Sequence, residues 1–190
     1  MKKLDYYLQR ARFNQVAPFF REGQRILDIG SADGGMFRWL TNKKIAFSGI
    51  GLEPEIRTDI ETEAYKIIGD KFPSMKISGQ RFDLITALAV LEHIPELRLD
   101  EFAKACNEHL KPKGFLVMTV PSSWVDYIIK PLIWLKLMDG NRADQHHGYD
   151  SVLTVPLFSK NGFVLERHST FQIGLNNLFV FRKNDSKLST

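Results

Sequence analysis

Apolar residues in this chain fall into short continuous runs separated by stretches with helical spacing. Ile26-Leu27-Asp28-Ile29 is followed by the small residues Gly30-Ser31-Ala32-Asp33-Gly34-Gly35 and then by Met36, Phe37, Trp39 and Leu40. This predicts a buried strand over 25–29, a tight turn, and a helix opening at Gly34. A second strand, 45–52, ends in Glu53, where Pro54 suits the first turn of a short helix. A third, 65–68, ends at Gly69-Asp70, and a fourth covers 82–88. Residues 90–94 then lead to Pro95, and 100–110 form an amphipathic helix burying Phe102, Ala105, Cys106 and Leu110. Lys111-Pro112-Lys113-Gly114 reads as a turn before a fifth strand, 115–120, which Pro121 stops.

The two ends of the chain follow other patterns. Leu4, Tyr7, Leu8 and Ala11, then Val16, Phe19 and Phe20 around Pro18, predict a broken helix over the sheet edge or the mouth of a ligand site. Residues 122–150 are irregular: Trp124, Tyr127, Trp134 and neighbouring apolar side chains precede a polar stretch from Asp139. Thr154 suits the N-cap of a helix with Pro156 in its first turn, ending at Asn161-Gly162. Residues 163–167 and 178–181 read as a closing hairpin whose loop holds Gly174, Asn176 and Asn177.

Strands that alternate with helices, each continuously apolar, indicate an α/β architecture of three layers with a mostly parallel sheet covered on both faces. At 190 residues and 44% hydrophobic content, one domain with a real core is expected. The net charge of +4 is spread along the chain without a basic block, so no nucleic-acid partner is expected. A single cysteine, Cys106, rules out an internal disulfide framework and a CxxC knuckle, and as a lone helix cysteine it is expected in the core. Neither an apolar leader nor a run of about 18 apolar residues is visible, and a cytoplasmic protein is the expectation.

In an open α/β sheet, ligands bind beyond the carboxyl ends of the strands. Residues with binding chemistry stand at those ends here: Gly30 to Gly34 after the first strand, Glu53 after the second, Asp70 after the third, and Leu88 to Glu92 after the fourth. A glycine turn allows positive φ and close approach of the backbone, and a carboxylate at Glu53 can accept two hydrogen bonds from a ribose diol. The set implies a nucleoside-containing ligand. Ala32 stands where a dinucleotide fingerprint would place its second glycine.

This ordered set resembles the class I S-adenosylmethionine-dependent methyltransferases, small-molecule branch, over about residues 22–182. Leu27-Asp28-Ile29-Gly30-Ser31-Ala32-Asp33-Gly34 is similar to the first family motif. Phe82-Asp83-Leu84-Ile85 with Val90-Leu91-Glu92-His93-Ile94 is similar to the fourth-strand motif, and Leu110-Lys111-Pro112-Lys113-Gly114 to the turn before the fifth strand. Ala32, Ser31 and Lys113 depart from the usual residues without removing a group the cofactor needs. The resemblance implies a Rossmann-like, seven-stranded sheet with its last strand antiparallel. It implies S-adenosylmethionine held by Asp28, Gly30, Ser31, Ala32, Gly34, Glu53, Asp70, Lys71, Leu88 and Ala89, with Glu53 on the ribose and Asp70 near the adenine amino group. It divides the chain into an N-terminal helical segment, 1–23, a cofactor-binding domain, 24–183, and a polar tail, 184–190.

The implied reaction is in-line displacement at an activated methyl group. Alignment of two bound reactants supplies on the order of 7–11 kcal/mol, whereas a positioned base adds about 3–5 kcal/mol, so positioning dominates. His93, His146 and His147 are the candidate bases, with Asp144, Gln145 or Asp150 available to orient one of them, and no metal is expected. Residues 122–150, inserted before the last helix, suit an acceptor pocket or lid for a lipophilic or aromatic small molecule carrying a hydroxyl, carboxyl or carbon nucleophile. With Lys130 and Lys136 the same segment suits peripheral contact with a membrane surface. A non-catalytic cofactor-binding or regulatory module is the competing class. RNA methylation is disfavoured, because Leu88-Ala89-Val90-Leu91 replaces the Asn/Asp-Pro-Pro-aromatic tetrad of many amino-group methylators. The expected assembly is a monomer or homodimer.

Overall fold

The computed structural model describes residues 3–122 and 149–184. Eight strands form one sheet: β1 (Gln24–Ile29), β2 (Phe47–Leu52), β3 (Ile60–Glu61), β4 (Tyr65–Ile68), β5 (Phe82–Leu88), β6 (Leu110–Pro121), β7 (Phe163–Phe171) and β8 (Asn176–Lys183). Their order is β3-β4-β2-β1-β5-β6-β8-β7. β1 pairs in parallel with β2 and β5, β2 with β4, and β5 with β6, whereas β8 runs antiparallel to both β6 and β7. The antiparallel last strand thus matches the expectation. The sheet has one strand more than expected, because Ile60 and Glu61 add a short antiparallel edge beside β4. Two exposed residues carry no periodic signal, and the pairing arises only because the chain turns back after β2.

The helices are α1 (Lys3–Val16), α2 (Gly35–Asn42), α3 (Leu99–His109) and α4 (Thr154–Lys160). Two apolar layers cover the sheet. One joins Leu27, Ile85, Leu116 and Phe181 with Phe102 and Cys106 of α3 and Phe158 of α4. The other joins Ile26, Leu84, Val117 and Val180 with Phe13 and Val16 of α1 and Met36, Phe37 and Leu40 of α2. Successive strand residues point to opposite faces, which is why Ile26 and Leu27 serve different layers. Cys106 is buried as expected, and the apolar surroundings push its thiol pKa up.

Several local expectations need correction. Tyr7 is 68% exposed, and the buried face of α1 is carried by Phe13 and Val16. The expected break near Pro18 is present, as a 3₁₀ turn over Ala17–Phe19 after α1 ends at Val16. No helix starts at Pro54: the Glu53 side chain takes the Glu55 amide and its carbonyl takes the Ile56 amide, closing a turn. The stretch from Lys111 to Gly114 remains within β6 as an irregularity with Lys113 at φ 61°, where the pairing to β5 shifts register. Thr154 is the first residue of α4, not its cap. A 3₁₀ turn precedes it, capped by the Asp150 carboxylate, which accepts from the Val152 amide. Asn176 and Asn177 lie in β8 and not in the hairpin loop.

Two glycines in β2 explain how α2 seats on the sheet. A Cβ at Gly49 would lie 2.6 Å from the Phe37 ring, and one at Gly51 would lie 2.5 Å from the Ser31 hydroxyl. Their bare backbone lets the helix and the β1–α2 loop settle directly against the sheet.

Candidate active site

The carboxyl ends of β1, β2, β4, β5 and β6 open into one cavity of about 750 Å³. Its near side is the loop after β1. Gly30, Ala32 and Gly34 all take left-handed φ, at 72°, 48° and 80°. The Gly30 and Ser31 amides donate to the Leu52 carbonyl at 2.9 and 3.2 Å, which pins the loop to β2. A Cβ on Gly30 would lie 2.7 Å from Val90 Cγ2, so glycine is what allows the loops after β1 and β5 to close on each other.

Glu53 is buried at the end of β2, 4% exposed, in the cavity wall. Its Oε2 accepts from the Ala32 amide at 2.8 Å and its Oε1 from the Glu55 amide at 3.2 Å. A carboxylate offers about four lone-pair sites, so one acceptor site remains on each oxygen. That arrangement fits a vicinal diol.

Asp28 lies beneath this wall, 4% exposed, opposite Thr86 in the β1–β5 register. Its Oδ1 accepts from Thr86 Oγ1 at 2.7 Å. Burial is the largest of the influences that bring its pKa up to about 7; the Thr86 hydrogen bond opposes the rise and the charge of Glu53 adds to it. Glu53, joined by Asp28 once its proton is released, gives the pocket an electronegative floor suited to a cationic ligand.

On the β4 side, Asp70, Lys71, Phe72 and Pro73 line the cavity. Asp70 accepts from the Lys71 amide at 2.8 Å and from Ser74 Oγ at 2.6 Å, and these bonds, the Ser74 one foremost, hold its pKa below the usual value. Its carboxylate thereby fixes the loop that presents Phe72 as a flat apolar wall. Sequence reading did not single out Phe72, whose place in the wall depends on the path of that loop.

Beyond β5, Leu88, Ala89, Val90, Glu92 and His93 continue the wall. Ala89 is left-handed at φ 59° and donates its amide to the Thr119 carbonyl at 2.9 Å. His93 ends the 3₁₀ turn Leu91–His93, beside the buried Glu92. The opposite side is closed by Leu8, Gln9, Arg12 and Phe13 of α1 and by Leu175 and Asn176 at the start of β8.

Of the residues expected at the site, Asp28, Gly30, Ser31, Ala32, Glu53, Asp70, Lys71, Leu88, Ala89 and His93 therefore meet in one cavity. Gly34 does not line it. It sits under α2, where a Cβ would lie 2.5 Å from Ile67 Cδ1, so it serves packing. His146, His147 and nearly all of the 122–150 segment lie outside the described residues. Arg12 and Asn176 were missed, because neither belongs to a local pattern. The helical spacing in α1 points to the sheet edge or the mouth of a ligand site and does not decide between them.

Comparison with known proteins agrees with this geometry. The family model described as "Methyltransferase domain" matches residues 2–166. Cyclopropane-fatty-acyl-phospholipid synthase of Escherichia coli strain K12 is 24% identical over 124 residues, which is 60% of this chain and 30% of that protein. Ubiquinone biosynthesis O-methyltransferase of a Chelativorans species is 30% identical over 109 residues, 50% of this chain and 39% of that protein. The matches thus span well under half the length of these curated relatives. Among solved structures, Burkholderia thailandensis 1,6-didemethyltoxoflavin-N1-methyltransferase superposes with a TM-score of 0.69 at 14% identity, covering 95% of this chain and 82% of that one. Mycobacterium tuberculosis cyclopropane synthase MmaA2 gives 0.65 at 15%, covering 92% and 84%. With the family model spanning most of its length and the same fold in these structures, the chain belongs to the methyltransferase-domain family.

Proposed function

We propose that this protein transfers a methyl group from S-adenosylmethionine to a small-molecule acceptor bound beside the β5 and β8 ends of the cavity. One observation carries the reading. Glu53 is buried in the wall of a 750 Å³ cavity, faces the left-handed loop after β1, and keeps an acceptor site on each carboxylate oxygen. Glu53 would hold the ribose hydroxyls and Phe72 would flank the base. Asp28 beneath the Gly30–Ala32 loop would face the cationic end of the ligand. When bound, the cofactor supplies an activated methyl on a sulfonium centre.

What the chain itself contributes is orientation and a dry environment. Leu88, Ala89 and Val90 line the cavity at the end of β5, where they would separate cofactor from acceptor, and Leu8, Phe13, Ile94 and Leu175 add apolar wall. Alignment of that kind supplies on the order of 7–11 kcal/mol, more than a general base does. His93 lines the same cavity, and on this reading it would accept a proton from a hydroxyl nucleophile. The apolar wall favours a lipophilic or aromatic acceptor, in keeping with the names of two relatives, a fatty-acyl-phospholipid synthase and a ubiquinone-pathway O-methyltransferase.

Thermal melting with added S-adenosylmethionine or S-adenosylhomocysteine tests the reading. Ligand at 100 times its Kd stabilises the fold by about 2.7 kcal/mol, and Glu53→Ala weakens binding by a few kcal/mol as charge-assisted hydrogen bonds are lost. No melting shift at millimolar ligand, or equal affinity in Glu53→Ala, would refute it.

A further inference from the structure

The turn between β7 and β8 is built at an energetic cost. Gln172, Ile173 and Gly174 are all left-handed, at φ 53°, 58° and 80°, and a β-branched residue there is an outlier. Ile173 is 98% exposed, so its own packing does not explain the conformation. What the turn does is aim Gln172 inward. Gln172 Nε2 donates to the Leu8 carbonyl at 3.3 Å, and Gln172 Oε1 accepts from Asn176 Nδ2 at 2.6 Å.

This relay settles the orientation of both amides. Flipping Asn176 alone would set two oxygens 2.6 Å apart, and flipping both would turn the Gln172 oxygen toward the Leu8 carbonyl. The Asn176 carbonyl oxygen is therefore held on the side away from Gln172. Asn176 is 5% exposed and lines the cavity, and its Oδ1 has no hydrogen-bond donor among the described residues. A buried acceptor left unpaired by a network that fixes its donor elsewhere is unfavourable in the ligand-free fold, and that cost is recovered when a ligand donates to it.

Its place in the sheet points to which ligand. Asn176 pairs with Pro121 at the end of β6, and β6 lies next to β5. Three strand spacings separate β8 from β1, or about 14 Å at about 4.8 Å each, too far along the sheet for a group held at the loop after β1. We propose that Asn176 Oδ1 accepts a hydrogen bond from a hydroxyl of the methyl acceptor, making it a substrate-positioning residue that selects hydroxylated, otherwise apolar molecules. Gln172 and the Leu8 carbonyl hold it in that orientation. The proposal rests on the methyltransferase reading above and deepens it.

The test uses the full chain saturated with S-adenosylhomocysteine and two probes of one carbon framework, 4-hexylcatechol and its dimethyl ether. Wild type is expected to bind the catechol at least 10-fold tighter. Asn176→Leu is expected to reduce that preference to under 2-fold while keeping the affinity for the ether and for S-adenosylhomocysteine. Asn176→Asp, as a protonated acid, donates to Gln172 and keeps a carbonyl acceptor, so it restores the preference at low pH. Equal binding of the two probes by wild type overturns the proposal, as does a preference that survives in Asn176→Leu. A lowered melting temperature with the preference intact shows a structural role only. Failure of wild type to bind S-adenosylhomocysteine overturns the underlying cofactor reading, and this proposal with it, and is seen before either probe is added.

Discussion

Replacing Asp28 by asparagine isolates the most perturbed carboxylate in the cavity. The Asp28 pKa is raised from 3.8 to about 7, first by burial, with the charge of Glu53 adding to it. The folded chain therefore holds a proton that the unfolded chain releases near pH 4. Between pH 4 and 7 the folded state binds more protons than the unfolded one, so stability falls as pH rises, by about 1.4 kcal/mol per unit and about 4 kcal/mol in all, and then levels off. In Asp28→Asn the side-chain amide keeps an oxygen to accept from Thr86 and has no proton to lose. The melting temperature of Asp28→Asn should therefore gain on wild type between pH 5 and 8, by on the order of 10 °C for a chain of this size. A cationic ligand at Asp28 lowers its pKa, so binding near pH 6.5 should release a fraction of a proton. Calorimetry in two buffers of different ionisation enthalpy reads that release, and it should vanish in Asp28→Asn. Parallel melting curves for the two proteins from pH 5 to 8 would refute the reasoning.

Two further substitutions probe the frame around the site. Gly34→Ala places a Cβ 2.5 Å from Ile67 Cδ1 at a φ of 80°, and should cost about 1–2 kcal/mol in urea denaturation, with an unchanged midpoint as the contrary result. Lys183 is 5% exposed and donates to the Asn107 and Leu110 carbonyls at 2.7 and 3.0 Å, capping the end of α3. Lys183→Met keeps the aliphatic stem and removes those donors, and should destabilise by about 2–3 kcal/mol. A loss below about 0.5 kcal/mol in the same denaturation would show that water replaces the ammonium at no cost.

What the sequence disclosed follows from how local each feature is. The β1 strand, its glycine loop and α2 are contiguous, so one stretch of pattern carries them, and Glu53 and Asp70 stand where strands end. The register partner of Asp28 is Thr86, which no spacing rule connects to it. Gly49 and Gly51 are intelligible only once Phe37 and Ser31 are laid against β2. Pro54 suggested a helix start because proline fits that position, but the Glu53 carboxylate captured the Glu55 amide and closed a turn. Asn176 follows a glycine turn and so looked like loop, whereas antiparallel pairing to Pro121 draws it into β8 and the cavity wall.

The same contrast bears on where the site ends. A division at residue 23 follows chain order, but packing does not observe it. Phe13, Val16 and Phe20 are buried with Met36, Leu40 and Val180, and burial of side chains this size contributes about 1.5–3 kcal/mol each. Together that is comparable to the net stability of a typical domain, about 5–15 kcal/mol. The same helix turns Leu8, Gln9 and Arg12 toward the cavity and offers its Leu8 carbonyl to Gln172. α1 is thus held by the core on one face and by the β7–β8 turn on another. A helix fixed at both contacts sets the width of the cavity between α1 and the start of β8, so on the proposed methyltransferase reading the shape of an acceptor would be read jointly by the first helix and the last hairpin, at opposite ends of the chain.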